Sequence, residues 1–411
     1  METNQWIKSV KLVCVMLITV PLLTGCWDQL EIDERAVVLG VSIDVAGEDA
    51  EQEESEVGHV QGAVPAPRSG MVRVGVQIAL PGRIPLGPGE GGGSQEDSQQ
   101  TVWVIEVVGH SINDAFMNLQ QQISSKLFFG HLRVIVISEA LAKKGLENVN
   151  DYFRRNSEVR RMAWMMISKG HAMGLMRAAP KLERMPTLYL MSTLDEGINL
   201  GRFPKDYLGI FWSNTSKKGQ EGFLPYVEMK KEQNVEIMGL AYFKNNRMVG
   251  VTKPLEIAGY LGLKGVNPAG YSAVINLEGM DESVMTNVTQ RGSKFDLQIK
   301  NGLPHFTIDV NLEVNLEEKM NDEQLIDNTE TIKSIDRKQE EVSEKFYKDI
   351  IRKTQEKGSD IFGFGEYVRA KKPGYWNKRI KTKENWQRMY KDATFDVNVT
   401  VNVRRIGMKA K

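Results

Sequence analysis

Cysteine is all but missing from this chain. Cys14 and Cys26 are its only two copies in 411 residues, so everything beyond position 26 lacks both a disulfide and a cysteine metal site. A chain of this length needs no such staples, because a large apolar core can hold it together. Histidine is nearly as scarce. His59, His110, His131, His171 and His305 are scattered, without the i, i+4 spacing of a helical metal pair. They are expected to be surface or packed residues, with no metal and no cofactor. An excess of one charge is lacking too: Lys plus Arg and Asp plus Glu each number 53. Without a basic excess to displace counterions, nucleic acid is not an expected partner. No G-x-S-x-G elbow, H-E-x-x-H pair or phosphate-cradling GxxxxGK[ST] loop occurs, which removes the common hydrolase, metalloprotease and NTPase signatures. The chain is expected not to be an enzyme.

Long apolar runs are also rare, and the most prominent lies at the start. Leu12 to Leu23 is almost wholly apolar and follows Lys8 and Lys11, the layout of a secretory signal. It is too short to cross a bilayer, which takes ~20 apolar residues. Leu23-Thr24-Gly25-Cys26 then closes it with small residues before a cysteine. That pattern resembles the lipobox of bacterial lipoproteins. The resemblance implies removal of residues 1–25, an S-diacylglycerol on the Cys26 thiol and an N-palmitoyl group on its new amine. At ~0.8 kcal/mol per buried CH₂, two or more chains anchor durably where one does not. An uncut signal anchor, or ordinary cleavage beside a chance cysteine, are the competing readings. The position of Cys26, where the apolar run stops, favours the lipoprotein.

Patterning divides the remainder into domains at 26–185, 186–280 and 281–411. In the first, strands are expected over Ala36 to Val45, Met71 to Leu80 and Thr101 to Val108, separated by two loose insertions. Insertion 47–70 is acidic, with Glu48, Asp49, Glu51, Glu53, Glu54 and Glu56, and insertion 81–100 is glycine-rich. Both are expected to be flexible loops with solvated carboxylates. Ile112, Ala115, Phe116, Leu119 and Ile123 share one helical face over Ser111 to Ser125. Strands at Leu132 to Ile137 and Met162 to Ser168 alternate with short helices. In the middle segment, Lys244-Asn245-Asn246-Arg247 reads as a hairpin turn, and Pro254 as the first residue of a helix.

The last segment alternates most strictly: Phe306, Ile308, Val310, Leu312, Val314 and Leu316, then Phe395, Val397, Val399, Val401 and Val403. A charged helix over Asn328 to Gln355 separates these strands, with Ile332, Ile335, Val342, Phe346, Ile350 and Ile351 as its apolar stripe. The expectation is an antiparallel sheet covered by that helix, its charges forming a solvated face. The chain as a whole reads as α+β or mixed α/β: three domains after the signal, each a mixed or antiparallel sheet flanked by helices.

One charged cluster is distinctive: Arg154, Arg155, Glu158, Arg160 and Arg161, just before the strand at Met162. It is either a solvated helix-to-strand junction in which Glu158 pairs with its neighbours, or a docking surface for an acidic partner or lipid headgroups.

Taken together, these segments resemble the Ger(x)C lipoproteins, the C-subunits of GerA-type nutrient receptors of bacterial spores. Gly25-Cys26-Trp27-Asp28 with Glu31-Ile32 is similar to the family's opening, and His131 to Gly145 to its strand-plus-helix block. Asp151 to Arg161 resembles its arginine-x-x-glutamate-x-arginine pattern through Arg155, Glu158 and Arg160. Phe362 to Tyr367, with Trp376, Trp386 and Tyr390, follows its C-terminal block. The resemblance runs from Gly25 to about Gly407. It implies a three-domain lipoprotein on the outer face of the spore inner membrane, acting with an A-subunit and a polytopic B-subunit and carrying no assigned catalysis. Trp27, Asp28, Arg155, Glu158 and Arg160 are the candidate partner surface. The alternative is a lipid-anchored protein that captures a small nutrient itself.

Overall fold

A computed structural model gives the architecture. It describes residues 6, 11–16, 34–55, 57–60, 64–66, 70–80, 101–178, 183, 185–277, 282–319 and 329–405. Cys26, Trp27, Asp28 and insertion 81–100 lie outside the described residues. Among the described residues no helix is long and apolar enough to cross a membrane.

The first sheet grows around β1 (Arg35–Val45). β2 (Val72–Ala79) pairs with it antiparallel, and β3 (Val102–Gly109) pairs with β2. α1 (Ile112–Gln120) then crosses the sheet, its N-cap Ser111 accepting from the Asp114 N–H. A short β4 (Lys126–Phe128) returns beside β1, and β5 (Val134–Ser138) runs parallel to β1. α2 (Glu139–Lys144) and α3 (Glu147–Arg155) lead to β6 (Trp164–Ser168), parallel to β5. α4 (Met173–Arg177), α5 (Pro186–Asn199) and α6 (Leu208–Ser216) follow. β7 (Phe223–Met229) joins β6 in parallel, and β8 (Val235–Lys244) and β9 (Arg247–Val251) extend the sheet antiparallel. The result is nine strands in the order β3-β2-β1-β5-β6-β7-β8-β9, with β4 alongside β1.

Sheet continuity corrects one expectation. The strands of the middle segment extend the first sheet instead of forming one of their own, because β7 pairs with β6 through Tyr226 and Val227. β7 itself carries no period-2 signal, since Phe223, Leu224, Tyr226 and Val227 are all buried. Strands covered on both faces lose the alternation that marks a half-wet strand. Val134, Val136, Trp164 and Met166 point to one core, while Ile135, Ile137, Met165 and Ile167 point to another. α1, α2, α3 and α6 cover the second of these faces.

The other face meets the rest of the molecule. α7 (Pro254–Lys264) begins with proline, as expected, and stops at Gly265 in the left-handed conformation. β10 (Ser272–Leu277), β11 (Glu282–Lys300) and β12 (Leu303–Lys319) pair antiparallel. After α8 (Thr329–Lys357), α9 (Phe364–Lys371) and α10 (Lys383–Tyr390), β13 (Thr394–Arg405) closes a second, four-stranded sheet. Phe306, Ile308 and Val310 of β12 share one core with Trp164 and Leu240 of the first sheet.

Two further expectations change here. β13 pairs with β12 in parallel, not antiparallel. The helical crossover through α8 is long enough for that connection, which a hairpin could not make. The charges of α8 are also not simply solvated. Asp336 and Glu340 accept the backbone N–H groups of Val403 and Val401 at 3.2 and 3.0 Å, capping the free edge of β13. Val342, expected in the apolar stripe, is exposed, whereas Ile335, Ile350 and Ile351 are buried.

Candidate interaction surface

α3 presents Val149 and Phe153 to the core and carries Arg154 and Arg155 in its last turn, where cations complement the helix dipole. Arg155 pairs with Asp151 one turn back at 2.8 Å, and its guanidinium holds the Asp151 carboxyl below its ordinary value. The Arg154 guanidinium lies 5.2 Å from the Trp212 ring centroid. Trp212 in turn donates through Nε1 to Asn150 Oδ1 at 2.9 Å, fixing α6 against α3.

The segment from Asn156 to Ala163 is held by hydrogen bonds along its length. Asn156 Oδ1 accepts from Glu158 N, and Arg160 O accepts from Ala163 N. Arg161 O accepts from Gly209 N, and Ala163 O from Leu208 N, both at 2.9 Å. Glu158 does not spend itself on its arginine neighbours, contrary to the junction reading. Its Oε2 accepts the Phe129 N–H at 2.8 Å, which ties the segment to the residue after β4. Glu158 is therefore a positioning residue. Arg160, Arg161 and Met162 are left exposed on a fixed backbone, Met162 at 66%. Exposed Ile210 lies in the first turn of α6.

The strand directions decide where this surface sits. β1, β5 and β6 run parallel, so the segment preceding β6 lies at the end of the sheet where β1 begins. Arg35 opens β1, stacks over Phe128 at 4.5 Å, and is paired in register with exposed Lys126. Exposed Arg133 sits just before β5. That end of the sheet is thus a basic rim interrupted by an exposed methionine. The sequence pointed to Arg155, Glu158 and Arg160; it missed Lys126, Arg133 and Met162, which gather only once strand order is known.

The C-terminal block has a different character. Asp360 is buried and accepts from Gly363 N and Gly365 N at 2.8 Å and from Trp386 Nε1 at 3.0 Å. Burial raises its carboxyl to about 6, against the lowering effect of those donors. Glu221, also buried, meets Lys383 Nζ at 2.9 Å and accepts from Gln387 Nε2 at 2.6 Å. Trp376, Trp386 and Tyr390 are all buried. This block is an internal joint between the sheets, not a surface.

Comparison with known proteins identifies the relatives of the chain. Residues 28–229 match the family described as "Spore germination protein N-terminal domain", and 238–407 match "Spore germination B3/ GerAC like, C-terminal". Spore germination protein KC of Bacillus subtilis (strain 168) is 25% identical, covering 98% of this chain and 97% of its own. Spore germination protein B3 of the same organism is 20% identical over 98% of this chain and all of its own length. The crystal structure of the GerBC protein superposes with a TM-score of 0.53 at 18% identity, covering 82% of this chain and 95% of that one. The mixed α and β architecture is therefore shared with GerBC, and the chain belongs to the Ger(x)C family of spore germination proteins.

Proposed function

We propose that this chain is a non-enzymatic C-subunit of a spore nutrient germinant receptor. In this reading it is held by lipid on Cys26 to the outer face of the spore inner membrane. There it acts with a larger A-subunit and a polytopic B-subunit in the assembly or signalling that triggers germination. The observation that carries the reading is the match of both family regions, in order, over 28–229 and 238–407.

Geometry supports it in two ways. Arg35 opens β1 nine positions after Cys26, a reach of about 30 Å at most. An anchored Cys26 therefore keeps the basic rim close to the headgroups, where each Lys or Arg adds ~1 kcal/mol on an anionic surface. The two sheets are also dissimilar, with nine and four strands around a shared core. That favours an interaction scaffold over a pair of matching lobes closing on a captured nutrient.

Deleting the gene and returning it on a plasmid tests the role through the fall in absorbance of nutrient-treated spores. The deletion is expected to lose the response to at least one nutrient mixture, and the wild-type gene to restore it. Normal germination in every mixture would overturn the reading. Radiolabelled palmitate should enter the wild-type chain and not Cys26→Ala. Calorimetry of the full chain in detergent with candidate germinants should show no micromolar binding; such binding would favour nutrient capture.

A further inference from the structure

The acidic insertion is not uniformly solvated. Ala50–Glu53 forms one helical turn packed near β3, and Ala50 is buried. The next residue, Glu54, has a side chain only 4% exposed. Its Oε2 lies 3.0 Å from His110 Nε2 and 3.6 Å from His59 Nε2. The two imidazoles meet edge to face at 5.2 Å. Three residues from two scattered stretches thus converge, and their ligand atoms all fall within 4.8 Å of one another.

The protein alone does not satisfy this cluster. Glu54 Oε1 and His110 Nδ1 are buried without a hydrogen-bond partner among the described residues, a condition that is costly for any buried polar group. Asp114 adds a second carboxylate beside Glu54 while accepting the backbone N–H of His110 at 2.9 Å. Two adjoining acids in a poorly hydrated pocket repel each other, and a dication would cancel that charge.

We propose that Glu54, His59 and His110 form a binding site for a divalent ion of the zinc class, with Asp114 as its outer-shell carboxylate. The donor set of two imidazoles and one carboxylate suits zinc, which takes such ligands at ~2.0–2.1 Å. Tetrahedral placement at that radius sets neighbouring ligand atoms about 3.3 Å apart, between the 3.0 and 3.6 Å separations found here. Asp114, at the first turn of α1, accepts the backbone N–H of His110 and lies beside Glu54. His110 also lines a groove of about 610 Å³ with Lys144, Asn246 and Arg247. The ion would pin the insertion to the junction of β3 and α1.

The test uses the full chain in detergent, stripped with a chelator and titrated with Co²⁺ as a visible probe, then with Zn²⁺ and elemental analysis. The wild type should take up about one ion per chain with the intense absorption of tetrahedral Co²⁺. His59→Ala/His110→Ala should lose that band, and Asp114→Asn should weaken binding ~10–100-fold. Equal uptake by wild type and double variant would overturn the proposal and leave a hydrogen-bonded polar cluster only. Proteolysis of the wild type guards against a misfolded variant. Zn²⁺ should slow cleavage within insertion 47–70, and identical cleavage with and without Zn²⁺ would equally overturn the proposal.

Discussion

Glu158 accepts the backbone N–H of Phe129 at 2.8 Å, across 29 positions of sequence. This bond fixes the arginine-bearing segment to the end of the sheet where β1 starts. A charged residue of the recognisable pattern therefore holds the surface in place, while its arginine neighbours face outward.

Separating those roles is the first prediction. Glu158→Ala should lower unfolding free energy by about 1.5–3 kcal/mol, the usual worth of a hydrogen bond to a charged group. Arg155→Ala, which removes only an exposed pair with Asp151, should leave the urea midpoint unchanged. Urea titration followed by circular dichroism checks both.

Arg160→Glu/Met162→Asp alters two exposed side chains and should leave the thermal midpoint within a degree or so, as surface changes usually do. In spores the same double variant should slow the nutrient response. A normal response at a normal protein level would place the partner contact elsewhere.

Gly365→Ala should be among the most damaging small changes in the chain. A Cβ there would lie 2.4 Å from Trp386 Nε1 and 2.7 Å from Gly219 Cα, and neither can retreat within a packed joint. About 3 kcal/mol or more of destabilisation is expected. Gly374→Ala, where a Cβ meets nothing within 4 Å, is the matched control and should be close to neutral.

Asp360 should impose a pH dependence on stability. Its carboxyl is raised to about 6 by burial, whereas an unfolded Asp titrates near ~3.9. The folded state thus keeps its proton over a range where the unfolded state has lost it. Its contribution is present below pH ~4 and is lost as pH rises to about 6, with no further change above. In denaturant titrations over that window, Asp360→Asn should show a shallower decline than the wild type, even though it starts lower for want of a carboxylate acceptor.

Arg291 is buried in the middle of β11 and donates to three backbone carbonyls, Val266, Gly201 and Pro268. Arg291→Lys should cost about 2 kcal/mol or more, because a single ammonium cannot reproduce the planar fork that spans them. Differential scanning calorimetry would register the loss.

The same arginine shows why the length of β11 was hard to read. Apolar alternation through Phe295, Leu297 and Ile299 marks only its second half. In the fold it runs from Glu282 to Lys300, with register shifts at Met285/Thr286 and Val288/Gln290. Its polar middle is tolerated because carbonyls from other segments receive the Arg291 guanidinium. No local pattern announces such a partner.

What the sequence determined by itself was local. Period-2 alternation placed β12 and β13, helical spacing placed α1, a proline placed the start of α7, and the ordered motifs placed the family. These signals depend on near neighbours, and so they survive without a tertiary structure. Strand direction, the fusion of β7 to β6, the burial of Asp360 and the meeting of Glu54 with His59 and His110 belong to the fold alone. Each depends on which distant segments share a sheet edge or a pocket, and composition and spacing carry no record of that.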